Sequence, residues 1–475
     1  MDAADQYADD LVTLAATAAE VFRSFDQDQV DRIVRAVFEA AWSARIELAR
    51  LAYDETGIGV FEHKVLKNAF ASLFVYEDIR HRRTVGVIGD DPVAGITEIA
   101  QPIGPILGTI PVTNPTSTTI FKTLICLKTR NPVIFSPHRG ARKCVRETVR
   151  ILSAAASGAG APDGAIQAMT RGQTDYLERV MGHPKLALIV ATGTSGIVRL
   201  AEASGTPTLG VGPGNVPIYV HRSADLAFAA RMIAHSKTFD NGTICASEQA
   251  LIVERDIGDL LRPMLEARGA YFCTHEEMQR LGPVCFDMEQ ERMRADVVGQ
   301  PAAVIAARAG FTVTEGTRLL IAEPDGIGRE HALSHEILAP VLALYRVGNY
   351  DEALQACEAV NHRGGIGHTV GVYTTDERIV DDFARMNAAR ILVNTPSTEG
   401  AMGGIYNSIR PSFTLACGTG AGNLTTDNIS IEHLLNVHRV ARLRPDARWM
   451  RMPREKWLDA SIDPAGILKI YNRDE

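Results

Sequence analysis

The chain lacks any run of about 18–20 uninterrupted apolar residues, the length a helix needs to cross a bilayer, so no membrane span is expected. Its first ten residues are acidic and have no basic-then-apolar secretion pattern. Basic charge is not in surplus either. There are 49 Lys and Arg against 57 Asp and Glu, a net charge of −8 and a pI near 5.9, which argues against a nucleic-acid-binding surface. Cysteine is sparse: Cys126, Cys144, Cys245, Cys273, Cys285, Cys357 and Cys417 include no CxxC pair. An odd, scattered set fits reduced thiols in a cytoplasm rather than a disulfide frame. No metal site is expected, since the Cys and His residues suggest no clustered ligand set. There is no low-complexity linker and no internal repeat.

What is present is a soluble, globular balance of 46% hydrophobic and 22% charged residues over 475 positions, enough for two or three domains. Residues 12–25 and 26–55 carry apolar side chains at helical spacing, and Gly57 and Gly59 close the second run. Two β-branched runs, 84–89 and 96–100, flank Asp90, Asp91 and Pro92 and predict a hairpin. Apolar strand-like runs at 106–110, 133–135, 186–191 and 208–211 then alternate with helical patterns at 117–128, 143–156 and 195–204. A second series follows Gly214, with strands at 218–220, 250–253, 319–322, 341–345, 370–373 and 390–393 and helices between them. Alternation of this kind predicts an α/β fold of two doubly wound, Rossmann-like domains, with a cleft between them as the natural active site.

Among residues that carry chemistry, Cys245 stands in a polar, Gly-containing turn before the strand at 250–253, where a nucleophilic thiolate would be presented. On position alone the commoner reading is a small buried residue filling a gap, since unreactive cysteines are mostly core residues. Cys126 and Cys357 lie in helical patterns and suit the core; Cys417 is in a looser segment. Asn114 follows a strand and precedes a helix, where its amide can donate to an oxyanion or simply start an Asn-Pro turn. Thr192, Gly193, Thr194, Ser195 and Gly196 form a strand-to-helix turn whose N–H groups suit a phosphate, although the string is not GxGxxG and such a turn is usually only a turn. The glycine-dense loop 210–215, with Gly210 and Gly212, allows close backbone approach to a ligand or acts as a hinge. His368 is a candidate base or a structural histidine.

Taken together, several strings resemble the aldehyde dehydrogenase superfamily, in particular its CoA-acylating branch. They are PVTNPTST (111–118), LKTRNPVIFSPH (127–138), KTFDNGTICASEQ (237–249), GHT (367–369), LVNTPS (392–397) and TLACGTGAGN (414–423). The resemblance runs from about 11 to about 457. It implies Cys245 as nucleophile, Asn114 with the Cys245 N–H as oxyanion hole, and 192–196 beside the cofactor pyrophosphate. It also implies that Glu336, which composition alone reads as a solvated charge, holds the nicotinamide ribose. Ser136, Pro137, His138 and Arg139 would meet the adenosine end. Ser136 stands where the family has a lysine, and Arg139 stands near a position that carries an acid in NAD-preferring members. NAD or NADP is therefore the expected cofactor, with coenzyme A as co-substrate.

Hydrolysing relatives carry a water-activating glutamate in the loop comparable to 209–214, and Gly210 stands near its place. Without that base a CoA thiolate is the better nucleophile toward a thioester. The function expected is reversible oxidation of a short aldehyde, acetaldehyde by default, to acyl-CoA. A hydrolytic aldehyde dehydrogenase and a non-catalytic assembly protein of the same fold are the alternatives. The division expected is 1–86 and 104–217 for cofactor binding, 218–424 for catalysis, and 87–103 with 425–475 as an oligomerisation element giving at least a homodimer. No alcohol dehydrogenase half is expected after Glu475, and little room is left for an N-terminal targeting helix.

Overall fold

The computed structural model describes residues 2–364, 366–444 and 452–472. A helical layer opens the chain: Ala3–Arg23, Gln27–Ser43, Arg45–Thr56 and Phe61–Ala69. Asp2 and Asp26 start the first two helices as capping boxes, supplying acceptors to N–H groups that have no partner within the helix. The helical pattern at 26–55 is two helices, not one, broken at Ala44. Gly57 ends the second of them in the left-handed conformation, φ 64°.

Strands β1 (Gly86–Asp91) and β2 (Ile96–Pro102) form the antiparallel hairpin. Five strands follow: β3 (Ile106–Ile110), β4 (Val133–Pro137), β5 (Ile166–Ala168), β6 (Leu188–Thr192) and β7 (Thr208–Val211). They make a parallel sheet in the order β5-β4-β3-β6-β7. The chain leaves β3 toward one edge and returns to β6 on its other side. The carboxyl ends of β3 and β6 therefore bound the crevice in which such sheets bind ligands.

The second sheet contains β8 (Val216–Val220), β9 (Glu248–Glu254) and β10 (Ala270–Phe272). After a two-stranded ribbon, β11 (Phe286–Asp287) and β12 (Arg292–Met293), it continues with β13 (Leu319–Ala322), β14 (Val341–Val347), β15 (Gly367–Tyr373) and β16 (Ala388–Val393). Its seven strands are parallel in the order β10-β13-β14-β9-β8-β15-β16. Every residue of β8, β9 and β15 is buried, as expected of parallel strands covered on both faces.

A last strand, β17 (Leu435–Ala441), pairs antiparallel with β2 and makes the hairpin a three-stranded sheet. Residues 445–451 and 473–475, within the segment expected to serve oligomerisation, lie outside the described residues. Phe413, Leu415, Ile429 and Leu434 pack into the same core as Ile106, Phe121 and Val133 of the first sheet. No helix among the described residues is long and apolar enough to cross a membrane.

Candidate active site

The segment that presents Cys245 is built by a left-handed turn. After the helix Leu226–Thr238, Asp240 (φ 48°), Asn241 (φ 54°) and Gly242 (φ 70°) all adopt positive φ, a region that Asp, Asn and Gly tolerate best. Asp240 is fully buried and holds the turn in place. It accepts from Val60 N at 2.7 Å, Thr243 Oγ1 at 2.8 Å and Lys64 Nζ at 3.3 Å, and it pairs with Lys67. A side chain at Gly242 would meet Ala339 O at 2.7 Å. The turn delivers Thr243, Ile244 and Cys245 to the cleft immediately before β9. Cys245 and Cys273 are partly exposed, whereas Cys126, Cys144, Cys285, Cys357 and Cys417 are buried, and of the two only Cys245 lines the cleft.

His368, near the start of β15, reaches the same point from two strands away, across β8: its Nε2 lies 3.1 Å from Cys245 Sγ. Burial, then the positive charge of Arg390, holds the imidazole well below its ordinary value, so it is neutral. Burial also pushes the Cys245 thiol up to about 12, with Glu336 and Cys417 adding to this; Arg390 and the residue's own N–H pull it back. Gly214 is confined between them, because a Cβ there would fall 2.7 Å from the His368 ring and 2.9 Å from Cys245 O.

Asn114 is the N-cap residue of the helix Pro115–Lys128, yet its side chain makes no capping bond. Its Oδ1 instead accepts from Lys67 Nζ at 2.6 Å, which leaves Nδ2 as the donor end of the amide, 3.0 Å from Thr113 Oγ1. Lys67 also donates to Thr243 Oγ1 at 2.9 Å. It thus ties the Asn114 amide to the turn that carries Cys245. Burial lowers the Lys67 ammonium to about 8, against the pull of Asp240.

The cleft measures about 1720 Å³, more than a single drug-sized ligand usually occupies. The carboxyl ends of β3, β4 and β6 form one wall, and the amino-terminal approaches to β8 and β9 form the other. Ser136, Pro137, His138 and Arg139 line it, as do Thr192, Gly193, Thr194, Ser195 and Gly196. The helix Ser195–Ala203 starts here without a side-chain cap, so its first N–H groups are available to an anion. Gly212 also lines the cleft. Gly210 does not: its Cα faces Val198 and Glu202 on that helix.

Glu336 lies in the cleft wall and is not the solvated charge that composition suggested. Its Oε1 accepts from Gly214 N at 3.1 Å, and burial raises its carboxyl to about 7. A nicotinamide cofactor fits this donor set, with a carboxyl for ribose hydroxyls at one end and uncapped N–H groups for a pyrophosphate at the other. His331 and His335 stand at an H-x-x-x-H spacing that the sequence reading passed over. The chain between them is a short 3₁₀ turn, His335 stacks on Phe286, and no group of three metal-ligating side chains occurs among the described residues.

Lys67, Asp240, Thr369 and Arg390 were not singled out from sequence. One signal was available for the first: in Phe61–Ala69 the polar residues Lys64, Lys67 and Asn68 share one helical face, and that is the buried one.

Comparison with known proteins gives a consistent picture. The model of the aldehyde dehydrogenase family matches residues 1–412. The chain is 40% identical over 449 residues to the bifunctional aldehyde-alcohol dehydrogenase of Escherichia coli, covering 94% of this chain and 50% of that protein. It thus spans about half the length of the curated relatives it matches at this level. An acetylating aldehyde dehydrogenase from Geobacillus thermoglucosidasius superposes with a TM-score of 0.91 at 41% identity, covering 95% of this chain and 98% of that one. The propionaldehyde dehydrogenase of Rhodopseudomonas palustris, solved with bound CoA and an acylated cysteine, gives 0.81 at 26% identity, covering 92% and 97%.

Proposed function

The chain belongs to the aldehyde dehydrogenase family, and from that premise we propose that it is a CoA-acylating aldehyde dehydrogenase. It interconverts a short aldehyde, acetaldehyde by default, and the corresponding acyl-CoA through a thioester on Cys245. The observation that carries this is a partly exposed thiol at the junction of both sheets, hydrogen-bonded to a buried neutral imidazole. Relatives of known structure that are acetylating, or that hold CoA and an acylated cysteine, support the choice of acyl acceptor.

In the forward direction the Cys245 sulfur bonds to the aldehyde carbon. Asn114 Nδ2, oriented by Lys67, and the Cys245 N–H stabilise the oxygen as it gains negative charge. A bound NAD or NADP supplies the oxidising chemistry by accepting the aldehydic hydride. The Thr192–Gly196 turn and Glu336 would hold it, with Ser136, Pro137, His138 and Arg139 at its far end. The acyl group then remains on Cys245 as a thioester. The CoA sulfur attacks that carbonyl carbon, the bond to Cys245 breaks, and the cysteine leaves as thiolate. Gly210 supplies no carboxylate to activate water in competition, which favours CoA as the acceptor.

The proposal extends to organisation. Residues 1–86 and 104–217 bind the cofactor, 218–424 carry the nucleophile, and 87–103 with 425–475 mediate assembly into at least a dimer. The exposed edge of β17 supports the last point. The seven free thiols support a reducing cytoplasm as the compartment.

Mass spectrometry of the Cys245 peptide after incubation with acetyl-CoA, without reduced cofactor, tests the thioester. Acetylation of Cys245 with release of CoA is expected. Acetylation elsewhere, or none at all, would contradict the proposal.

A further inference from the structure

Cys245 and His368 are the front of a longer chain of hydrogen bonds. Behind the imidazole, Nδ1 lies 2.9 Å from Thr369 Oγ1. That same oxygen is 3.2 Å from Arg390 Nε. The direction of the second bond is settled, because a guanidinium only donates. The Thr369 hydroxyl therefore accepts from Arg390 and still has its own proton to place. Thr369 is completely buried, and among the described residues its hydroxyl has one other hydrogen-bond partner, His368 Nδ1. Were Nδ1 the protonated nitrogen, the Thr369 O–H would be a buried donor without an acceptor, which folded proteins avoid. If Thr369 donates to Nδ1, every group is satisfied and the proton of the neutral ring sits on Nε2, facing the sulfur.

Arg390 is itself fixed. Its Nη1 donates to Asn428 Oδ1 at 2.8 Å, and its Nη2 donates to His368 O at 2.9 Å and Ala416 O at 2.7 Å. None of these partners is a carboxylate, and Arg390 is 4% exposed. The charged and titratable groups that act on the Cys245 sulfur are Arg390, which favours the thiolate, and Glu336 and Cys417, which oppose it; Lys67 lies within electrostatic reach as well. Arg390 also disfavours a second proton on His368.

We propose that Thr369 and Arg390 are positioning residues that hold His368 as its Nε2–H tautomer, so that His368 stabilises the Cys245 thiolate by donating a hydrogen bond and does not take the thiol proton as a base. The proposal rests on Cys245 being the nucleophile. The S–H bond breaks with its proton passing to water in the cleft, and the electron pair stays on sulfur. The same Nε2–H meets the sulfur again when CoA displaces it from the acyl group.

The test is the pH dependence of Cys245 alkylation by iodoacetamide, followed on the Cys245 peptide by mass spectrometry. The proteins compared are the wild type, His368→Gln, His368→Ala, Thr369→Val and Thr369→Ser. A glutamine amide can donate to sulfur but cannot act as a base. His368→Gln is therefore expected to react near the wild-type rate at each pH, while His368→Ala reacts about tenfold more slowly. Thr369→Val frees the ring to change tautomer and slows the reaction in the same way; Thr369→Ser restores the rate. Glutamine reacting as slowly as alanine, or Thr369→Val reacting as wild type, would overturn the proposal. The two His368 variants decide the matter if Thr369→Val does not fold. Alkylation needs neither aldehyde nor CoA, so failure of the acylation reaction would not imitate any of these results.

Discussion

Lys67 Nζ lies 2.6 Å from Asn114 Oδ1 while also pairing with Asp240 in the turn before Cys245. One buried ammonium thus sets both the Asn114 amide, the proposed oxyanion donor, and the turn that carries Cys245. Lys67→Met should lower kcat by about ten- to a hundredfold with a smaller change in KM, because a preorganised donor acts mainly in the transition state. Steady-state kinetics with thermal melting as a folding control checks this; an equal loss in kcat and stability-limited activity would place Lys67 in the fold alone.

Gly214→Ala should be poorly tolerated although the change is one methyl group. The new Cβ would stand 2.7 Å from the His368 ring and 2.9 Å from Cys245 O, so the imidazole must move. Crowding of this kind costs about 1–3 kcal/mol. Thermal melting should show that loss, and the displaced His368 should change the rate of Cys245 alkylation. A variant unchanged in both would contradict the close packing.

Glu336 makes stability depend on pH in a definite sense. Its carboxyl is raised from 4.5 to about 7 by burial, so the folded chain binds this proton more tightly than the unfolded chain. The stabilisation is complete below 4.5 and is lost as pH rises through about 7. Wild type should therefore melt progressively lower relative to Glu336→Gln across that window. A constant difference between the two would show that the carboxyl is not perturbed.

Much of this architecture was legible in the chain because buried parallel strands are continuous apolar runs. β9, β13, β14 and β15 declare themselves in that way, and so do the helices between them. At the site, local chemistry offered Cys245 in its Gly-containing turn and the 192–196 turn only as candidates, and the family resemblance gave them, Asn114 and Glu336 their expected roles. Lys67 and Arg390 carry charge, which in a sequence reads as solvated surface. Their burial depends on partners far along the chain, such as Asp240 for Lys67 and Asn428 for Arg390. The packing of Phe413 and Leu415 into the core of the first sheet is equally non-local, and no periodicity announces it.

Position 210 offers a contrary test. A Cβ at Gly210 would stand 2.7 Å from Val198 Cγ1 and 3.2 Å from Glu202 Oε1. Gly210→Glu should therefore lose about 1–3 kcal/mol of stability through overpacking and should not create a hydrolytic enzyme. Melting temperature and free acid released without CoA are the two measurements; efficient acid release would show that the new carboxylate reaches the thioester.

The most direct test of the central claim is NAD(P)H formation from acetaldehyde with and without CoA, alongside Cys245→Ala. Turnover is expected to require CoA, to yield acetyl-CoA and to disappear in the variant. Turnover independent of CoA that releases acetate, or turnover retained without Cys245, would contradict it.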